Sequence, residues 1–102
     1  MKLSVIIPAY NESDCLGASI DRIATVNQDN GIDYEIVVVE NGSTDDTWKI
    51  ARLYDAARPE VYAIQSQPGK GAAVRRGMLY AHGDVLMMCD ADLSMPPSFI
   101  PK

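Results

Sequence analysis

Residues 84–94 constrain this chain more than any other stretch: Asp84-Val85-Leu86-Met87-Met88-Cys89-Asp90-Ala91-Asp92-Leu93-Ser94. Val85 to Cys89 is an unbroken run of five apolar side chains, the pattern of a strand buried on both faces in the middle of a parallel sheet. Asp90 and Asp92 then sit at its carboxyl end, the edge where open α/β sheets bind ligands. Two carboxylates one residue apart repel each other unless something positive lies between them. Chain leaving a strand can turn both onto one hard divalent cation. Two solvated acids in a turn is the plainer alternative.

The rest of the chain supplies a setting for such a pair. Its 102 residues suffice for one domain with a real core. A net charge of −5 argues against a nucleic-acid partner, which calls for a basic face, and means that any anionic ligand needs local cations or a metal. Cys15 and Cys89 follow no metal-site spacing and read as reduced core thiols of an intracellular protein. No segment approaches a membrane span, and Met1 to Pro8 is too short and too strand-like for a signal peptide. The expected location is cytoplasmic.

In chain order, Leu3–Pro8 is a first strand, β-branched-rich and stopped by proline. A helix capped by Ser13 or Asp14 follows, with Leu16, Ile20, Ile23 and Ala24 at helical spacing. Tyr34–Val39 is a second buried strand. Ser43 or Thr44 caps a second helix, with Asp45 and Asp46 in its first turn and Trp48, Ile50, Ala51, Leu53 and Tyr54 as its apolar surface. Glu60–Gln65 is a weaker strand near the sheet edge. The spacing predicts a third helix over 72–81, with Ala73, Met78 and Leu79 toward the sheet and Gly83 at its C′ position. The alternation β-α-β-α-β-α-β predicts a Rossmann-like, three-layer α/β/α domain with a mostly parallel sheet in strand order 3-2-1-4. The switch point then lies between strands one and four, which brings the loop 8–12 beside Asp90-Ala91-Asp92.

Two further constellations share that edge. Glu40-Asn41-Gly42-Ser43 leaves the second strand, where Glu40 or Asn41 can hydrogen-bond a base or ribose, or the segment can be a capped connection only. Gly69-Lys70-Gly71, with Arg75, lacks P-loop spacing, yet backbone N–H groups at a glycine-rich helix start can hold an anion. Tyr10 is balanced between packing and base contact. Trp48 and Tyr54 read as core, and His82 reads as a surface residue at a helix C-terminus.

Four blocks in this order resemble the family 2 glycosyltransferases of GT-A fold: Val5-Ile6-Ile7-Pro8-Ala9-Tyr10-Asn11-Glu12, Tyr34 through Asp45, Gly69 through Met78, and Gly83 through Ser94. Lys70-Gly71-Ala72-Ala73-Val74-Arg75 and Asp90-Ala91-Asp92-Leu93-Ser94 are most similar to the dolichyl- and polyprenyl-phosphate sugar synthases. Ser94 resembles the glucosyl branch more than the mannosyl one. The resemblance implies that Pro8, Ala9, Tyr10 and Glu12 line the nucleoside pocket, that Glu40 and Asn41 contact base or ribose, and that Lys70, Gly71 and Arg75 lie along the nucleotide. Asp90, Ala91 and Asp92 would meet the diphosphate, with Asp90 and Asp92 as catalytic residues holding Mg²⁺ or Mn²⁺. Sugar would pass from a UDP- or GDP-sugar, with inversion, to a lipid phosphate or glycan acceptor. The family usually has an acid where this chain has Asn41. The resemblance makes residues 1–102 the nucleotide-sugar-binding N-terminal part of a GT-A domain, truncated after the Asp-x-Asp run.

Three readings compete. The first is the donor half of an inverting transferase, peripheral at the cytoplasmic face of a membrane. The second is a non-catalytic sugar-nucleotide-binding or assembly module without the acceptor half. The third is a phosphotransferase of the haloacid dehalogenase type with Asp90 as nucleophile, disfavoured because its motif belongs on a first strand. An open sheet edge also predicts a homodimer.

Overall fold

The computed structural model describes residues 1–91. In chain order it has β1 (Lys2–Ala9), α1 (Leu16–Asp29), β2 (Asp33–Glu40), α2 (Thr47–Ala57), β3 (Val61–Gln65), α3 (Lys70–Tyr80) and β4 (Val85–Met88). The strands form one sheet in the order β3-β2-β1-β4. Every pairing is parallel, as the βαβ spacing predicts.

Strand periodicity sorts the core into two layers, since successive side chains point to opposite faces. Val5 and Ile7 of β1 join Ile36 and Val38 of β2 on one face, covered by Leu16, Ile20 and Ile23 of α1 and Ala51 of α2. Ile6, Val37 and Val39 take the other face, under Ala73 of α3. Both central strands therefore carry unbroken apolar stretches, residues 5–9 in β1 and 36–39 in β2, as strands covered on two sides must.

Helix α3 comes very close to the sheet. A Cβ on Gly77 would sit 2.5 Å from Ile6 Cγ2 and 3.1 Å from Val39 Cγ2, so only glycine fits there. This corrects the expected helix face: Ala73 and Gly77 point inward, whereas Met78 and Leu79 are 50% and 78% exposed. Small residues win because the backbone itself lies on β1 and β2, leaving no room for long side chains. Gly83 is likewise not a C′ residue. The helix ends at Tyr80 with Ala81 as its C-cap, so the C′ position is His82, and a Cβ on Gly83 would meet Ser4 Oγ at 2.4 Å and the Lys2 carbonyl oxygen at 2.8 Å. Its role is close passage of the chain over β1.

The helix starts also differ from the local signals. Cys15 and Asp46 occupy the N-cap positions of α1 and α2, and neither makes a side-chain cap bond. Neither Ser13 nor Asp14 caps α1, and α2 begins after Ser43 and Thr44. No acid lies in the first turn of α2: residues 43–45 are engaged by the loop after β1, and Asp46 is the N-cap. Leu53 is 59% exposed rather than packed.

Strand β4 is the largest departure. Its burial alternates, with Leu86 and Met88 41% and 44% exposed, while Val85 and Met87 pack against the α1/α2 core layer. Among the described residues it pairs only with β1, and α3 lies mainly over β1, β2 and β3, so one face of β4 is only partly covered by the described residues. The apolar run reads as a central strand because its exposed positions are apolar too.

A buried glutamate anchors the opposite end of the sheet from the candidate site. Glu35 on β2 is 0% exposed. It accepts hydrogen bonds from Ser4 Oγ (2.6 Å) and the His82 N–H (2.6 Å), and His82 Nδ1 lies 3.3 Å from its other oxygen. His82 therefore serves the α3–β4 connection, and its ring also packs near Tyr62 and Tyr80.

Candidate functional site

The carboxyl ends of β1, β2 and β4 meet at one cavity of about 540 Å³, within the usual range for small-molecule sites. Pro8, Tyr10 and Glu12 line it from β1 and its loop, Asn41 from β2, Pro68, Gly69 and Lys70 from the start of α3, and Asp90 and Ala91 from the end of β4. The register makes this convergence unavoidable. Ala9 pairs with Glu40 and Ile6 with Met88, and the Cys89 N–H donates to the Ile6 carbonyl at 2.9 Å. Pro8 and Asp90 thus leave the sheet side by side at the topological switch point.

Three loops are stitched together to form the wall. Asn11 adopts a left-handed backbone with φ 52°, which asparagine tolerates better than most residues. Its N–H donates to Ser43 Oγ (2.9 Å) and its Oδ1 accepts from the Thr44 N–H (2.8 Å). The Glu12 N–H donates to Thr47 Oγ1 (2.9 Å). Asn41, buried at 4% exposure, joins all three: its Nδ2 donates to the Ala9 carbonyl (3.1 Å), and its Oδ1 accepts from the Gly69 N–H (3.4 Å). An amide can donate and accept at once, whereas an ionised carboxylate can only accept. Asn41→Asp would set a carboxylate oxygen against the Ala9 carbonyl. A loss of about 1–3 kcal/mol in urea unfolding is the expected outcome; unchanged stability would show that the bridge carries nothing.

The structure brings most of the sequence-derived residues together but not all. Ala9 is buried beneath the cavity. Glu40 is buried too, and accepts from the Ser43 N–H and from Gln65 Nε2 (3.0 Å). It shapes the loop after β2 and does not line the cavity. Gly71 and Arg75 lie on α3 along an adjoining apolar groove with Val74, Met78 and Met88. Asp92 lies outside the described residues, as does Ser94. Asp90 is present, and its Oδ1 is 2.7 Å from Lys70 Nζ in an ion pair across the cavity mouth. Helix α3 opens at Gly69, whose φ of 114° suits glycine, so its N-terminal N–H groups and dipole face the same space.

Sequence reasoning missed one positioning residue. Ser19, on the buried face of α1, donates from Oγ to the Ala91 carbonyl and so fixes the turn that presents Asp90. A serine within an apolar helical stripe is the only signal, and it is a weak one.

Three carboxylates are held below their ordinary range. The Thr47 hydroxyl, opposed by desolvation and helped by the Thr47 N–H and by Ser13, brings Asp45 down to about 2. Burial alone would raise Glu40 and Glu35, but hydrogen bonds outweigh it. Those from the Ser43 N–H and the Gln65 amide lower Glu40, and those from Ser4 and His82 lower Glu35. Such groups give stability that is complete above their unfolded values, 4.5 for the glutamates and 3.8 for Asp45, and is lost as pH falls through the folded values. The thermal midpoint should therefore drop between about pH 4.5 and pH 2. A midpoint that stays level across this window contradicts the assignment.

Residues 4–102 match the model for glycosyl transferase family 2. The chain belongs to that family. This membership sets aside the dehalogenase-type reading of Asp90. The family 2 chain is 45% identical over 103 residues to a dolichol-phosphate mannosyltransferase of Pyrococcus furiosus, an alignment covering 100% of this chain and 29% of that protein. It thus spans under a third of the length of that curated relative. Among solved structures it resembles glucosyl-3-phosphoglycerate synthase of Mycobacterium tuberculosis in complex with Mn²⁺, UDP and phosphoglyceric acid. There the TM-score is 0.75 and the identity 30%, over 98% of this chain and 36% of that one. It also resembles a mannosyltransferase of Pyrobaculum calidifontis in complex with GDP-Man and Mn²⁺, with a TM-score of 0.70 and 28% identity over 88% and 27% of the two chains. No helix among the described residues is long and apolar enough to cross a membrane.

Proposed function

We propose that the cavity at the β1/β4 switch point binds the diphosphate and nucleoside of a UDP- or GDP-sugar, as the donor half of an inverting glycosyltransferase. The observation that carries this is the convergence of Pro8, Tyr10, Glu12, Asn41, Lys70 and Asp90 on one cavity at the carboxyl edge of a parallel sheet. Relatives that keep this fold hold UDP or GDP-Man with Mn²⁺.

The residues suit a divalent ion of the Mg²⁺ or Mn²⁺ kind. Asp90 offers a hard oxygen ligand on the cavity wall and already holds a cation, the Lys70 ammonium. Among the described residues no three acidic, His or Cys side chains converge. That matches ions which take one or two carboxylates and complete their shell with phosphate and water. Asp90, with Asp92, would hold the ion. When bound, it would supply charge stabilisation to the departing diphosphate.

The chain's own residues do the rest. Tyr10, 51% exposed at the cavity rim, offers a face for the base. Asn41 holds the three loops in register. Lys70 and the N-terminus of α3 meet phosphate oxygens. The acceptor in this reading is a polyprenyl or dolichyl phosphate, already anionic, so no strong general base is required. Peripheral contact with a membrane follows from such an acceptor.

A thermal-shift panel of UDP- and GDP-sugars, with and without Mn²⁺ or Mg²⁺, tests the proposal. At ten times Kd a ligand stabilises by about 1.4 kcal/mol, worth several degrees in a domain of this size. Stabilisation that requires both nucleotide and metal is the expected result, and the responding nucleotide names the base. No shift with any pair contradicts the proposal.

A further inference from the structure

The ion pair between Lys70 and Asp90 joins two groups with separate tasks at the site. Lys70 is the one cationic side chain among the described residues lining the cavity, and the same lining carries two acids, Glu12 and Asp90. Its ammonium lies 2.7 Å from Asp90 Oδ1, and the two side chains are 57% and 38% exposed. The backbone beneath it is fixed, because the Gly69 N–H is bound by Asn41 and α3 begins at Lys70. The stem above it is a flexible four-carbon chain with a compact charge at its end, a kind that can exchange one partner for another.

We propose that Lys70 is a built-in counter-ion that occupies Asp90 until metal and diphosphate arrive together, and then exchanges Asp90 for the diphosphate. The proposal rests on the metal–diphosphate reading above. With no ligand present, the Lys70 ammonium neutralises Asp90 in a chain of net charge −5. A divalent ion arriving alone must displace that ammonium and then sits close to a like charge, so it binds weakly. A diphosphate arriving alone meets Asp90 and Glu12, which repel it. When both arrive, the metal takes the Asp90 carboxylate and the ammonium takes a phosphate oxygen, so Asp90 and Lys70 each keep an opposite partner. Lys70 thereby makes metal and nucleotide binding mutually dependent, with a coupling that works equally in both directions.

This device gives Lys70 opposite effects on the two ligands, which a lysine serving only as a phosphate contact or only as a surface ion pair would not show. In Lys70→Ala, affinity for Mn²⁺ alone should rise about three- to five-fold, the scale of an exposed ion pair. Affinity for UDP or GDP at saturating Mn²⁺ should fall by a similar factor or more. Lys70→Gln, which keeps most of the stem, should behave in the same way, and Lys70→Arg should retain the coupling.

The experiment is a titration of the 102-residue chain with Mn²⁺, free ion being read by electron paramagnetic resonance, without nucleotide and then with UDP or GDP. Unfolding curves check that each variant is folded. Tighter Mn²⁺ binding with weaker nucleotide binding in both neutral variants bears the proposal out. Unchanged or weaker Mn²⁺ binding in them, while the wild-type chain binds metal and nucleotide, overturns the counter-ion role and leaves the site reading standing. Failure of the wild-type chain to bind Mn²⁺ even with nucleotide overturns both.

Discussion

Asp90→Ala should lower affinity for the responding sugar nucleotide at saturating Mn²⁺ by about 100-fold, roughly 3 kcal/mol. The carboxylate stands at the cavity wall with a cation already drawn to it at 2.7 Å. Removing it takes away the group that would tie a metal to the protein. The fold should survive, because Asp90 is part-exposed and exposed ion pairs contribute about 1 kcal/mol at most. Asp90→Asn separates charge from shape: it keeps an oxygen in place but lacks the negative charge, and should lose nearly as much affinity. Calorimetric titration of folded Asp90→Ala and Asp90→Asn proteins is the check. Affinity within about three-fold of wild type in both variants, a difference of well under 1 kcal/mol, would remove Asp90 from the site.

Glu35→Ala should do the reverse, costing stability and sparing the site. Its carboxylate is wholly buried and collects the Ser4 hydroxyl and the His82 N–H. Truncation orphans these donors at a place where β1, β2 and the α3–β4 connection meet. Leaving buried polar groups without partners costs about 1–3 kcal/mol, and more when a charged group was the acceptor. A loss of about 3 kcal/mol on urea unfolding, or a fall of more than roughly ten degrees in the midpoint, is therefore expected. Nucleotide affinity of the folded variant should stay near wild type, since Glu35 pairs with Ser4 toward the amino ends of the strands and the cavity lies at their carboxyl ends. Stability within about 0.5 kcal/mol of wild type would show that water satisfies these groups without the carboxylate.

The fold was legible because strong patterns carried it. Apolar runs at 3–8 and 34–39, separated by helical periods, allow little besides a parallel sheet, and the strand order follows from crossover rules. The candidate cavity was legible to the extent that strand ends determine it, so Pro8, Tyr10, Asn41, Lys70 and Asp90 line it together. What could not be read depends on contacts between distant segments. Asp45 stands ahead of the first turn of α2, accepting from the Thr47 N–H and hydroxyl and from the Ser13 N–H of the distant loop after β1. Glu40 is turned inward by Gln65 from the neighbouring strand. Gly77 faces the sheet only because α3 approaches so closely, and that approach is invisible to a count of apolar side chains. Strand β4 misled in another way: Leu86 and Met88 are apolar yet exposed, and alternation cannot be seen when both faces carry hydrophobic residues.

Isothermal titration of the chain with the sugar nucleotide picked out by the thermal-shift panel, in Mn²⁺ and again in excess chelator, tests the central claim most directly. Saturable one-to-one binding in Mn²⁺ that vanishes in chelator is the predicted result. Equal affinity with and without the metal, or no binding in either, would contradict it.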